Sequence, residues 1–165
     1  MSPTQETDFK PLQKAGESKY KLLWKTITDA ALYIDPKADA PEDIMDPNYE
    51  KRLVIEYGLG VSKDRFIKMA KDTLAKYWDA KDLEQSKAEL EQFYSWMTDV
   101  EKGDRYGVHW HPKNGFMLSL NEKPQGSWQS AEAAKIILSI WLGKASISHD
   151  QRDDILKQWR KATEA

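Results

Sequence analysis

The spacing of hydrophobic and polar residues predicts strands in several parts of the chain. The segment Arg52–Tyr57 is rich in β-branched and aromatic residues and is followed by two nearby glycines, a pattern typical of a strand. Over 105–120, apolar and polar residues alternate on both sides of the turn dipeptide Asn114-Gly115, which predicts a β-hairpin. Short apolar stretches over 20–34 flank a polar junction and predict one bent strand or a pair of strands.

Apolar residues spaced three and four apart predict two helices in the middle of the chain. Ser62 is a suitable N-cap for the first, which extends to Tyr77 and carries lysines on its opposite face. The second begins at Asp82, which can form a capping box with Gln85, and its apolar stripe continues to Val100. Both patterns indicate amphipathic helices that pack one face on a core.

Two more helices are predicted in the last third of the chain. The first runs from Ser127 or Ser130 to Leu142 and is apolar on almost every side near its end, so we expect it to be buried. Ser148, with Gln151 three residues later, can form another capping box and begins the closing helix.

The remaining segments are predicted as loops. The acidic, proline-containing segment 35–49 and the segment around Pro124 and Gly126 suit turns better than regular structure. Residues 1–17 are expected to form a flexible N-terminal arm, and 18–165 a single domain. Strands and helices occur in similar measure, which predicts an α+β fold with one antiparallel sheet covered by helices on one face.

Composition narrows the classes of function. The chain has 165 residues, 40% of them hydrophobic, which is enough for a single core. Its 25 basic and 27 acidic residues give a net charge of −2, and the pI is about 6.0, so we expect no nucleic-acid partner. Cysteine is absent, which excludes disulfides, thiol nucleophiles and cysteine-based zinc sites.

No segment predicts a membrane span or an export signal. The longest apolar run, Ile136–Leu142, is far shorter than the roughly 20 residues that a bilayer-spanning helix needs. The polar start of the chain lacks the apolar run of a secretory signal. Two alternatives stay open: a native cytoplasmic start, or a chain in which Met1 replaces a removed export signal.

Two histidines on one predicted strand are the best candidates for a metal site. His109 and His111 are two residues apart, which places both imidazoles on one face of the strand. Asp104 or Glu122 would have to supply a third ligand across the hairpin. Because such pairs are more often part of a solvated face, we expect no metal here.

Motifs for nucleophilic catalysis and phosphate binding are missing. No Gly-x-Ser-x-Gly elbow occurs in the chain. Gly58-Leu59-Gly60 precedes a predicted helix but lacks the third glycine and the lysine-serine ending of nucleotide loops, so we interpret it as a turn. The seven tryptophans are spread over nearly every predicted element, which favours core packing over an aromatic cage.

The pattern of short motifs and turn residues along the chain resembles that of one known family. The order and spacing of several short segments, from about Gly16 to Trp159, look like the bacterial branch of the chalcone-isomerase-like proteins. The segments that carry the resemblance are Trp24–Tyr33, Leu53–Tyr57, Lys102–Tyr106, Gly115, Asn121 and Ile140–Gly143. The resemblance implies an open-faced β-sandwich: a large antiparallel sheet, a helical layer on it and a ligand cleft between them.

Two activities of the family set expectations for this cleft. The plant enzymes close a ring by adding a phenolate to an enone without a cofactor, and they need a cation, a hydroxyl network around a water and an apolar cleft. Related non-catalytic members look like fatty-acid binders that hold a carboxylate with an arginine and a tyrosine. The bacterial members are typically exported, so the resemblance implies a periplasmic location if a signal peptide has been removed.

Positional transfer of these roles gives a mixed result. Thr28 matches the threonine of the hydroxyl network, whereas Phe66 stands at the tyrosine and Thr73 at a nearby asparagine. We therefore expect no chalcone isomerase activity.

The family's arginine has no direct counterpart. Its position falls near Gly16, and only Lys19 or Lys21 could replace it. A lysine lacks the planar fork of a guanidinium and cannot bind a carboxylate in the same bidentate way.

Our leading hypothesis is a non-catalytic protein that binds a small amphipathic molecule such as a fatty acid and uses no cofactor. An apolar helix face with two hydroxyls in the family's cleft region motivates it. The expected ligand-binding residues are Lys21, Thr28, Phe66, Met69, Thr73 and Tyr77. Two alternatives are a cofactor-independent isomerase or intramolecular lyase acting on an enone, and a protein-partner module whose cleft is filled by its own side chains.

Overall fold

The computed structural model describes residues 11–164, which form one sheet with helices packed on it. The strands are β1 (Gln13–Leu22), β2 (Lys25–Ile34), β3 (Lys51–Tyr57), β4 (Arg105–His111), β5 (Gly115–Leu120) and β6 (Lys123–Trp128). Each strand runs antiparallel to the one before it, so the order in the sheet is the order in the chain. The predicted antiparallel sheet is confirmed.

Five helices occur within 11–164. They are α1 (Lys63–Tyr77), α2 (Ala80–Gln85), α3 (Lys87–Ser95), α4 (Ala131–Leu142) and α5 (His149–Thr163). The side-chain hydroxyls of Ser62, Ser130 and Ser148 accept hydrogen bonds from the first turns of α1, α4 and α5, which confirms the predicted starts of these helices. The α+β class is therefore confirmed.

The helices cover one face of the sheet. Leu32, Leu53 and Val108, on three neighbouring strands, are fully buried in a single core that also contains the buried residues of the helices. Nine of the twelve residues of α4 are buried, as its nearly all-apolar sequence predicts. Along the opposite face of the sheet Tyr33, Arg52 and other side chains stay half-buried, because no helix of residues 11–164 packs over them.

The helix α5 packs along β1. Their approach is close at Gly16, where a Cβ atom would lie 2.8 Å from the backbone oxygen of Ile155. The position of the family's arginine falls near this residue, and at Gly16 itself the backbone of α5 leaves no room for a side chain.

The start of the domain differs from the prediction. The strand β1 begins at Gln13 and pairs with the end of β2 at Ile34, so 13–17 belong to the sheet and not to an arm. Polar side chains concealed this strand, because its outer residues face solvent at the edge of the sheet. The part of the predicted arm over 1–10 lies outside the described residues.

The structure decides between one and two strands over 20–34, and it adds a strand that was not predicted. The segment 20–34 is a pair of strands, since the chain turns at Leu23 and Trp24 between β1 and β2. The predicted turn around Pro124 and Gly126 contains the short edge strand β6. This strand has no apolar alternation, and an edge tolerates a proline because one side of the backbone needs no partner.

The predicted second helix is divided into two. α2 begins after Asp79, not at Asp82, and a buried Ser86 separates it from α3, which ends at Ser95. Val100 lies beyond the helix and pairs with Val61 in an isolated bridge. Serine hydroxyls compete with helical backbone bonds, which makes a break at a buried serine reasonable.

Candidate functional site

One ridge of α1 borders an open groove. Arg65, Met69, Thr73 and Tyr77 are spaced four residues apart and therefore lie in one row along the helix. All four line a cavity of about 810 Å³ that opens to solvent. Cavities of this volume are in the range that proteins use for small molecules.

The second wall is the connection between α4 and α5. Ser146 to Asp150 line the groove opposite the α1 ridge. The Thr73 hydroxyl donates a hydrogen bond of 2.9 Å to the backbone oxygen of Ala145, which fixes this connection to α1. The ring of His149 meets Tyr77 edge-on, with 6.3 Å between the ring centroids. The groove is thus held at both its middle and its end.

The groove combines an apolar floor with charged edges. Met69, Ile147 and the ring of Tyr77 supply the apolar surface. Of the lysines beside them, Lys68 is paired with Asp72 at 2.8 Å, and this carboxylate raises the pKa of the lysine.

Two further cations border the groove. The Nζ atom of Lys76 lies 5.3 Å from the centroid of the Tyr77 ring, in a cation–π contact. Arg65 makes no ion pair with any acid of 11–164. Its guanidinium is therefore available to an external anion.

Ser146 adds a polar group to the wall of the groove. The residue is 6% exposed, and its Oγ atom has no hydrogen-bond partner in the described part of the chain. A buried hydroxyl without a partner is unfavourable by about 1–3 kcal/mol. A polar ligand group or a water that reached it would remove this penalty.

The structure brings together three of the six predicted ligand-binding residues. Met69, Thr73 and Tyr77 line the groove. Phe66 follows Arg65 in the sequence and lies on the neighbouring ridge of α1. It is buried in the core and stacks on Trp141 with ring centroids 6.2 Å apart.

Thr28 and Lys21 lie elsewhere. Thr28 is a buried residue of β2, and its Oγ1 atom accepts a hydrogen bond of 3.4 Å from the side-chain amide of Gln151. The same amide donates to the backbone oxygen of Ser18, so Gln151 fastens the first turn of α5 to β1 and β2. Lys21 is exposed on β1, opposite Thr26. Neither lines the groove.

Sequence reasoning missed Arg65 and Ile147. A signal for Arg65 was present, because it stands four residues before Met69 in the same i, i+4 row. For Ile147 no local signal exists, since it reaches the groove only because the chain folds back after α4.

The two candidate metal ligands are engaged by the protein itself. His109 Nε2 lies 2.7 Å from a carboxylate oxygen of Glu50. The Nδ1 atom of His111 accepts from the backbone N–H groups of Lys113 and Asn114. Within 11–164 no group of three or more histidines and carboxylates has the geometry to hold a metal ion.

One lysine is buried away from the groove. Lys51, at the start of β3, is 1% exposed, and its Nζ donates a hydrogen bond of 2.8 Å to the backbone oxygen of Asp46. Burial lowers the pKa of Lys51 to about 8, against the opposing effect of the Asp46 and Asp43 carboxylates.

Comparison with known proteins identifies the class to which this fold belongs. A family model described as chalcone isomerase-like matches residues 11–157, which is most of the chain. The chain therefore belongs to the chalcone isomerase-like family, as the sequence resemblance implied. No curated protein sequence matches it.

A particular structural relative supports the same fold. The crystal structure of the Arabidopsis thaliana fatty-acid binding protein AtFAP1 matches with a TM-score of 0.67 and 15% sequence identity. The match covers 92% of this chain and 90% of the other. At this identity it establishes a shared fold, the open-faced β-sandwich of the family. Among residues 11–164, no helix is both long enough and apolar enough to cross a membrane.

Proposed function

We propose that this protein binds a small amphipathic ligand of the fatty-acid type, without catalysis, in the groove between α1 and the α4–α5 connection. The observation that carries the proposal is the ridge Arg65–Met69–Thr73–Tyr77, which places at one end of an apolar floor a guanidinium that has no ion pair within residues 11–164. A fatty acid has the same division into a charged head and an apolar chain.

The dimensions of the ridge suit this ligand. From Arg65 to Tyr77 the helix rises about 18 Å, at about 1.5 Å per residue, which is comparable to an extended long acyl chain. In this orientation the carboxylate contacts Arg65, and the chain runs over Met69 and Ile147 toward Tyr77. Arginine binds a carboxylate through two parallel N–H donors, which gives a stronger contact than a lysine makes.

The relative AtFAP1 adds support from a different direction. It is a fatty-acid binding protein with the same fold over nearly its whole length. We take from it only the ligand class, and we place the carboxylate contact on Arg65 because Gly16 leaves no space for an arginine side chain.

Two features weigh against the isomerase alternative. Thr28, which would act in the hydroxyl network, is bonded to Gln151 instead. Phe66, which stands at the position of the tyrosine, is packed in the core and has no hydroxyl.

Calorimetric titration with palmitate and with its methyl ester tests the proposal. We expect palmitate to bind and the ester to bind at least about tenfold more weakly, because the ester lacks the charge that Arg65 recognises. Arg65→Ala is expected to weaken palmitate binding by about tenfold or more and to leave ester binding unchanged. Met69→Asp is expected to weaken both ligands, because it places a charge on the apolar floor.

Lys63→Ala is the matched control, because Lys63 is a cation in the same first turn of α1 that does not line the groove. Equal palmitate affinity in the Arg65 variant and the wild type would contradict the proposed site. Chalcone turnover that disappears in Thr28→Ala would instead support the isomerase alternative.

The finer assignments from the family resemblance belong to the same proposal. We propose that the protein belongs to the bacterial branch and that it is periplasmic if a signal peptide has been removed, and cytoplasmic otherwise. Fractionation of the source cells tests the location: recovery with periplasmic markers supports the first location, and recovery with cytoplasmic markers supports the second.

A further inference from the structure

The turn between β1 and β2 presents three large hydrophobic side chains to solvent. Leu22, Leu23 and Trp24 are 55%, 89% and 79% exposed, and they are the exposed large hydrophobic residues of the described chain. The other large apolar residues of 11–164 are buried or half-buried. This tip contributes nothing to that core, so the fold does not explain its composition.

The backbone of the tip is also unfavourable for a leucine. Leu23 has a φ of +58°, in the left-handed region that glycine and asparagine adopt more easily. Tight hairpin turns normally place glycine, asparagine or aspartate at such positions. A leucine there strains the turn while it holds an apolar side chain away from the protein.

Three lysines flank the tip, with no acid between them. Lys19, Lys21 and Lys25 belong to the segment Lys19–Lys25, and none of them makes an ion pair with a carboxylate of residues 11–164. The chain as a whole carries a net charge of −2. The positive charge at this turn is therefore a local feature that stands against the charge of the rest of the molecule.

We propose that the β1–β2 tip, Leu22–Trp24 with Lys19, Lys21 and Lys25, docks the protein on an anionic lipid surface. Leucine and tryptophan side chains enter the interface between headgroups and acyl chains, where tryptophan is favoured. Lysine stems extend along the apolar surface while their ammonium groups contact anionic headgroups. The tip thus presents apolar side chains for the acyl-chain region of a bilayer surface and, beside them, ammonium groups for its headgroup region.

A second copy of the chain is a poorer occupant. The described part of the chain exposes no other large hydrophobic side chain, so two copies could bury their tips only against each other. That contact would bring three lysines from each copy together, which is unfavourable.

The contact between α5 and β1 connects the tip to the proposed ligand groove. The Gln151 side chain binds the backbone oxygen of Ser18, so the first turn of α5 is beside the part of β1 that leads to the tip. From Ser18 to Leu22 the strand extends about 13 Å. The segment Ser146–Asp150, which leads into that turn and includes its first two residues, is a wall of the groove. A docked tip would thus place the groove near a membrane, which is a source of fatty acids.

Vesicle flotation of the full chain tests the docking proposal. We expect the wild type to float with phosphatidylglycerol vesicles, to bind phosphatidylcholine vesicles weakly, and to be released by added salt. The double variant Leu23→Ser with Trp24→Ser should lose at least about tenfold in partition, because both apolar side chains leave the bilayer. Lys21→Gln with Lys25→Gln should weaken binding to phosphatidylglycerol and leave binding to phosphatidylcholine unchanged.

Lys157→Gln with Lys161→Gln is the matched control, since it removes the same charge from exposed positions on α5. The tip residues are exposed, so their variants should unfold at the wild-type temperature. The proposal is overturned if the tip variant floats as the wild type does. It is also overturned if the wild type ignores phosphatidylglycerol, or forms a dimer that the tip variant abolishes, since the tip would then serve protein contact. Palmitate affinity, measured without vesicles, separates this result from the fate of the groove.

Discussion

Two neighbouring ridges of α1 are offset by one residue in sequence, but one is buried and the other borders open space. Phe66, Ala70 and Leu74 form one ridge, and all three are buried in the core. The ridge that begins at Arg65 is rotated by about 100° around the helix and borders open space instead. The first ridge holds the helix on the domain, and the second is free to bind.

The difference arises from what each ridge meets. Phe66 contacts rings of two other helices, since it stacks on Trp141 of α4 and meets Phe93 of α3 at 6.4 Å between centroids. The groove ridge meets the α4–α5 connection and the start of α5, which contact α1 through the Thr73 hydrogen bond and through the rings of Tyr77 and His149. Open volume of about 810 Å³ remains beside this ridge, and this volume is the groove. Stability and binding are therefore separable on one helix.

The largest expected effect comes from emptying the buried ridge. Phe66→Ala should lower the free energy of unfolding by about 3–5 kcal/mol, because it removes a packed ring and leaves a cavity. Chemical denaturation measures the change. Met69→Ala, on the groove ridge, is the control and should have a much smaller effect, because Met69 is only partly buried. Equal losses in the two variants would mean that the ridges do not differ as described.

The second prediction compares the buried Lys51 with an exposed lysine, Lys161. Burial lowers the pKa of Lys51 to about 8 in the folded state, against 10.5 for the free side chain. Below pH 8 the lysine is charged in both the folded and the unfolded state, and the folded state carries the full cost of burying that charge. Between pH 8 and 10.5 the unfolded state binds more protons, so stability rises with pH over this window. The span corresponds to about 3–4 kcal/mol at about 1.4 kcal/mol per pKa unit.

Lys51→Met isolates this contribution. The variant should be more stable than the wild type near pH 7, and the difference should shrink as the pH rises from 8 to 10.5. The comparison must be made as a difference, because burial raises the pKa of Tyr57 and the unfolded tyrosine ionises first above pH 10. Lys161→Met, at an exposed position, should show no such trend. A constant difference across the window would contradict the lowered pKa.

The fold was predictable where local patterns agree with the tertiary structure. The hairpin over 105–120 and the capped helices α1, α4 and α5 follow from periodicity and capping serines that the core then uses. The edge strand β6 was missed because its pairing with β5 depends on a neighbour and not on its own apolar residues. The division at Ser86 was missed because a continuous stripe does not reveal that a serine will be buried.

The site was predictable only along one helix. Met69, Thr73 and Tyr77 share a row, so their common direction follows from helix geometry. Thr28 was assigned by its position in the family, and sequence spacing does not show that Gln151 of α5 would bond to it. Contacts between residues more than a hundred positions apart depend on the packing of whole elements. This is why Ile147 also escaped prediction.

The smallest expected effect concerns the hydrogen bond that joins α1 to the α4–α5 connection. Thr73→Val keeps the shape of the side chain but removes the hydroxyl that donates to the backbone oxygen of Ala145. The free energy of unfolding should fall by about 1 kcal/mol, the usual net value of one hydrogen bond. Thr98→Val is the matched control, because Thr98 is exposed and its side chain makes no such bond. If both variants unfold alike, the connection is held by its own backbone bonds and not by α1. If only Thr73→Val loses stability and palmitate binding weakens with it, the same hydroxyl sets the width of the groove.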